Sequence, residues 1–186
     1  MRSVDPLAQA LAEGRWKAAE QILMRAAKAR RGGVGVLYNL GKVMMEQGKW
    51  APARLWLRRA LAAEPGHAHA WFELGRVELQ LSDAPAARQA FARVVALDPG
   101  DGDARLNLAR LALRAGDYAQ VSDVLAPLAG SSSEVDAMRV RAAAERRTPE
   151  AGALAQALWN GARPGDRAVA MQAITRASKG RLPLDL

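Results

Sequence analysis

Few residues in this chain are of types able to do chemistry, and their spacing limits what each can do. His67 and His69 lie two apart at a turn. Two imidazoles can clip a metal ion, but no third ligand stands at fixed spacing beside them, so no metal site is expected. Gly32, Gly33 and Gly35 follow Arg30 and Arg31, a composition that would suit a phosphate-cradling loop before a helix. Such a loop needs a strand ahead of it and usually a Lys-Ser/Thr pair behind it. Neither is present, which leaves a turn between units. Asp98, Asp101 and Asp103 begin like a calcium loop but lack the bidentate Glu at its far end, and helix capping accounts for them. The serines have no base partner, so nucleophilic catalysis has no support. No catalytic residue and no cofactor is expected. One set is left: Lys42, Arg76 and Arg110 stand at a constant spacing of 34. Cations repeated in this way can pair with carboxylates, provided the elements that carry them bring them to one face.

The composition says what those elements are. Half of the 186 residues are hydrophobic, enough for a substantial core, and Ala, Leu and Arg predominate while Thr and Ile are scarce. Unbranched side chains lose little rotamer freedom in a helix, so helix is favoured over strand. The formal charge of +8 points to acidic partners or to plain solubility. Without cysteine, disulfides, thiolate metal sites and a cysteine nucleophile are excluded. No targeting run and no uncharged apolar stretch of about 18 residues is visible, so a bacterial-type cytoplasmic setting without membrane insertion is the expectation.

Self-similarity organises the chain. Gly14, Gly48, Ser82 and Gly116 are each 34 residues apart. In the same register stand Trp16, Trp50, Ala84 and Tyr118; Ala19, Ala53, Ala87 and Val121; and Leu23, Leu57, Phe91 and Leu125. Further columns are Leu40, Leu74, Leu108; Gly41, Gly75, Ala109; and Pro65 with Pro99. Within one period, Leu37, Leu40, Gly41 and Met44 form one apolar helical face that Gly48 ends. Ala53, Leu57, Ala60 and Leu61 form a second, stopped at Glu64-Pro65-Gly66. Small residues at 41, 75 and 109 would let paired helices approach closely, and the bulky 57, 91 and 125 would fill the space between units.

A 34-residue helix–turn–helix unit with Trp71, Leu74, Gly75, Ala87, Phe91 and Pro99 in these places resembles the tetratricopeptide repeat. The resemblance implies an all-α, right-handed superhelical solenoid occupying 1–186 as one domain. Its expected parts are a degenerate repeat at 3–33, full repeats at 34–67 and 68–101, and a repeat at 102–130 interrupted by Pro127. A degenerate helix pair at 134–163 follows, with Thr148 as N-cap and Ala155 and Trp159 continuing the register. A capping helix at 166–179, closed by Gly180, covers the open end.

The resemblance also implies that the first helix of each unit lines a concave groove. Its outward columns are then Tyr38, Phe72, Leu106; Lys42, Arg76, Arg110; and Met45, Leu79, Leu113, with Asn39, Asn107 and Arg114 beside them. Apolar, cationic and apolar positions at one height would suit a peptide with hydrophobic anchors and acidic groups. The peptide-binding set expected from this is Tyr38, Asn39, Lys42, Met45, Phe72, Arg76, Leu79, Asn107, Arg110 and Arg114. The family's clamp for chaperone C-terminal carboxylates needs lysine and asparagine pairs that are missing here. Tyr38 and Lys42 occupy the first pair, Glu73 replaces the single asparagine, and Asp103 and Asn107 fall at the last, so a chaperone-tail cofactor is not expected. The expected function is a protein-binding scaffold or adaptor, not an enzyme. The alternatives are a non-catalytic module of a larger bacterial hydroxylase, sulfotransferase or glycosyltransferase, with 182–186 as a linker or docking tail, or a secretion-type chaperone. Nucleic acid is not expected, because only Tyr38 and Phe72 offer stacking surfaces among the cations.

Overall fold

The computed structural model describes residues 5–29 and 33–178, and these are all-helical. The helices are α1 (Pro6–Ala12), α2 (Trp16–Lys28), α3 (Gly33–Glu46), α4 (Trp50–Ala63), α5 (Ala68–Gln80), α6 (Ala84–Leu97), α7 (Gly102–Arg114), α8 (Tyr118–Leu125), α9 (Ser133–Glu145), α10 (Ala151–Trp159) and α11 (Asp166–Ser178). Residues 3–4, 30–32, the Gly180 cap and the 182–186 tail lie outside the described residues. The helices gather into two compact units, α1–α6 and α7–α11. In the first, α1 packs on α2, α3 on α4 and α5 on α6, and α2 on α3 and α4 on α5 join successive pairs.

The 34-residue period has a backbone cause. Gly14, Gly48, Ser82 and Gly116 all adopt left-handed backbone, with φ of 65°, 69°, 60° and 74°. The amide after each donates to the carbonyl five residues back: Arg15 to Ala10 at 2.8 Å, Lys49 to Met44 at 2.9 Å, Asp83 to Glu78 at 2.8 Å and Asp117 to Ala112 at 2.9 Å. This closure satisfies the orphan carbonyls of the first helix and turns the chain directly into the second. Glycine tolerates that conformation without the Cβ clash that penalises other L-residues. Ser82 bears the clash, so Ser82→Gly is expected to stabilise the fold by about 0.5–1 kcal/mol. Chemical denaturation measures this, and an unchanged midpoint would contradict it.

The fifth turn is displaced. Its left-handed residue is Arg147, φ 56°, which comes 31 and not 34 residues after Gly116. The amide of Thr148 again donates to Ala143 O, at 3.0 Å. The shortening follows the end of α8 at Leu125, where a single 3₁₀ turn, Ala126–Leu128, carries Pro127. Thr148 is not the N-cap expected of it. Its hydroxyl donates back to Ala143 O at 3.2 Å, and α10 begins only at Ala151. Ala155 is buried, while Trp159 is half-buried and Leu158 occupies the core beside it.

Packing within the first unit depends on small residues meeting large ones. A Cβ on Gly41 would lie 2.6 Å from the Leu57 side chain, and one on Gly75 would lie 2.8 Å from the Phe91 ring. Leu57 and Phe91 are fully buried, together with Leu23, Leu40 and Val77. Each such side chain contributes about 1.5–3 kcal/mol of hydrophobic stabilisation. One charge is also fully buried: Glu78 on α5 accepts from Arg58 Nη2 at 2.8 Å and from Arg54 Nη1 at 3.4 Å, both on α4.

In the second unit α9 packs on α10 and α11, with Val140, Ala155, Leu158, Ala170, Ala173 and Ile174 as a core. Arg163 clasps the loop before α11. It donates to Gly130 O at 2.9 Å, to Asp136 at 2.7 Å and to Asp166 at 3.1 Å. Buried Asp166 also accepts from Ser133 Oγ, and that hydrogen bond, with Arg163, holds its carboxyl below the ordinary aspartate range.

Candidate functional site

The expected binding residues all lie on first helices, where the turn geometry sets their height. In the first unit, α3 carries Tyr38, Asn39, Lys42 and Met45, and α5 carries Phe72, Arg76 and Leu79. Tyr38 and Phe72 are half-buried, as are Asn39 and Leu79. Tyr38 stacks on His67 with centroids 4.9 Å apart, and its partial burial pushes the phenol pKa up. Phe72 stands edge-on to Phe91 at 5.5 Å, so its ring is braced by the core it borders. Met45 is buried among the core side chains and has little surface to offer a ligand.

The cations are already engaged. Glu73, only 8% of whose side chain is exposed, accepts from Lys42 Nζ at 2.9 Å and from Arg76 Nη1 at 2.9 Å. The hydrogen bond that Lys42 donates to Glu73 raises the Lys42 pKa against the opposing effect of its burial. One carboxylate thus sits between two cations of the column.

The second unit repeats this with different partners. Arg110 on α7 forms a bidentate pair with Glu134 on α9, Nε to Oε1 at 2.7 Å and Nη2 to Oε2 at 2.8 Å. The pairing lowers the Glu134 pKa and raises that of Arg110. Asn107 donates to Asp103 O at 2.9 Å within its own helix, and Arg114 is exposed.

The nearby residues weighed for other chemistry have local roles. His67 Nδ1 caps α5 by accepting from Ala70 N at 3.2 Å, and Asp101 caps α7 by accepting from Ala104 N at 2.8 Å. Among the described residues, no three His, Cys, Asp or Glu side chains gather into a metal-binding group.

One part of the surface was not foreseen. Between α7, α9 and α11 lies a cavity of about 270 Å³, with Leu113, Met138, Val169 and Ala173 forming apolar walls. Arg141 and Arg176 also line it, and the Arg141 Nε is buried with no hydrogen-bond partner. The signal for Arg141 is present in the turns. Lys42, Arg76 and Arg110 each precede the left-handed residue of their turn by six positions, and Arg141 precedes Arg147 by the same six. Counting forward by 34 from Arg110 steps past it.

Helix pairs closed by a repeated turn, with polar first-helix faces, define a class of helical-repeat interaction domains. A family model for the cytochrome c-type biogenesis protein H TPR domain matches residues 53–161, more than half of the chain, and a tetratricopeptide repeat model matches residues 10–74. The chain belongs to the tetratricopeptide repeat family, in the group described by the cytochrome c-type biogenesis protein H TPR domain. Among solved structures, MamA is 20% identical, over 96% of this chain and 95% of its own, with a TM-score of 0.63. PilF of Pseudomonas aeruginosa is also 20% identical, over 95% of this chain and 75% of its own, with a TM-score of 0.63. The first TPR of Spaghetti (RPAP3), bound to the HSP90 peptide SRMEEVD, is 17% identical over 59% of this chain and 87% of its own, with a TM-score of 0.56. At these identities the likeness is one of fold. No curated protein sequence matches the chain.

Proposed function

We propose that this chain is a non-catalytic interaction module that takes up an acidic or amphipathic peptide or protein segment on the first-helix faces of its repeats. The observation that carries the reading is the repeated pairing of half-buried apolar side chains with cations on those faces: Tyr38 with Lys42, and Phe72 with Arg76. An apolar platform next to a cation suits a segment that alternates hydrophobic and carboxylate side chains. The fold neighbour bound to SRMEEVD, a peptide with three carboxylate side chains, supports this chemistry by analogy. The cytoplasmic setting expected from the sequence belongs to this reading.

The family match over 53–161 favours a second, narrower reading, in which the module serves cytochrome c-type biogenesis by holding components of that assembly. One experiment addresses both. Immobilised wild-type chain and an Arg76→Glu/Arg110→Glu variant are compared for capture from host extract, with circular dichroism confirming equal helicity. A defined set of proteins retained by the wild type and lost by the variant is expected. Equal capture by both overturns the face assignment, and the identities of the retained proteins decide the narrower reading.

A further inference from the structure

The column of cations has a fourth member, and its surroundings differ from those of the other three. Lys42 and Arg76 share Glu73, and Arg110 is held bidentately by Glu134. Glu73 stands three residues before Arg76, where it can reach back along the same helix face. Three residues before Arg141 the chain has Met138, which is buried and has no charge to offer. Arg141 therefore enters the cavity between α7, α9 and α11 with its Nε buried and no acceptor for it. A buried guanidinium N–H without a partner destabilises the fold, and an arriving acceptor recovers that cost. Exposed Arg176 stands on the α11 side of the same cavity. The other walls are mainly apolar, with Leu113, Met138, Val169 and Ala173, and Gln172 also lines the cavity. Glu134, also at the rim, is already neutralised by Arg110.

We propose that Arg141, with Arg176, is the seat for a carboxylate of a partner protein's acidic segment, whose neighbouring aliphatic or aromatic side chain fills the cavity. A cavity of about 270 Å³ is smaller than the roughly 300–1,000 Å³ of sites that enclose a whole small molecule, so it fits a side chain of an extended ligand. Charge complementarity selects the ligand's sign. In the first unit Lys42 and Arg76 share the carboxylate of Glu73, whereas the Arg141 Nε has no acceptor at all. This rests on the reading that the first-helix faces take up a peptide, and it names the place and the chemistry.

The test uses fluorescence anisotropy with a fluorescein-labelled peptide, Gly-Glu-Leu-Glu-Phe-Glu-Gly, as C-terminal amide and as free acid, and with its all-Gln counterpart. Arg141→Gln is expected to weaken the acidic amide by about tenfold, as loss of a charge-assisted hydrogen bond does, and to leave the Gln peptide unchanged. Arg141→Lys should recover part of the loss, and Arg93→Gln, at an exposed position on α6 away from the first-helix faces, should change affinity less than threefold. Stronger binding of the free acid than of the amide identifies a chain terminus as the carboxylate source, and equal binding identifies a side chain. Melting curves of each variant separate lost binding from lost fold. Unchanged affinity in Arg141→Gln, with a loss in Arg76→Gln, overturns the Arg141 seat and leaves the peptide-binding reading standing. No binding of any probe by the wild type overturns both.

Discussion

Replacing Arg54 and Arg58 together by Ala is expected to destabilise the α1–α6 unit by about 3–5 kcal/mol, measured by chemical denaturation. The size follows from what is left behind. Glu78 is fully buried and takes its two ion-pair hydrogen bonds from these arginines, which reach it from α4 with 36% and 57% of their side chains exposed. With both arginines removed, the carboxylate stays on α5 without either of its ion-pair donors. A charge held in a low-dielectric interior without a partner is among the costliest arrangements a fold can contain. Adding Glu78→Met to the double variant should recover most of the loss, because an apolar group of similar length removes the unpaired charge. A double variant within about 1 kcal/mol of wild type, or a triple variant no better than the double, would refute this account.

Phe91→Ala is expected to cost about 3–5 kcal/mol, since the ring is fully buried and its removal leaves a cavity the helices cannot close. The ring also meets Gly75, where an added methyl would come within 2.8 Å of it. Gly75→Ala alone should therefore destabilise by about 1–3 kcal/mol through overpacking. In the Phe91→Ala background the sign should reverse. With the ring gone, Gly75→Ala has room, and the better helix propensity of alanine contributes up to about 1 kcal/mol of stabilisation. A double-mutant cycle reads the coupling directly, and additive effects would show that Gly75 and Phe91 do not constrain one another.

These two sites differ in how far the sequence foretells them. The small and large columns are legible because they recur at fixed spacing, but that Gly75 meets Phe91 and Gly41 meets Leu57 within one helix pair, and not between units, depends on the packing of the pair. The ends of the first helices are legible for the same reason. Gly14, Gly48 and Gly116 mark turns whose conformation only glycine adopts freely, and Ser82 is found by counting. The ion pairs are not legible. Lys42 to Glu73 and Arg110 to Glu134 join different helices, and a charge column by itself does not say which carboxylate lies within 3 Å of it. Glu73 is visible in the sequence only as a departure from the family's asparagine. Its role in engaging both Lys42 and Arg76 depends on its burial between them. The later helix pair is legible, but the place of Arg141 in it is hidden by the 3₁₀ turn at Pro127, which displaces the later turn by three residues and takes Arg141 out of a strict 34-residue register.

The left-handed turn has a kinetic consequence as well. Its hydrogen bonds close over three to five residues, as from Gly48 to Met45 and from Lys49 to Met44, so the loop that must be ordered first is among the shortest a helix pair can use. Each pair can therefore form from contacts near in sequence and serve as a template for the next, which gives the low contact order of rapidly folding helical proteins. A chain built this way has many equivalent places to begin folding, and the loss of any one turn slows nucleation locally without closing the other routes.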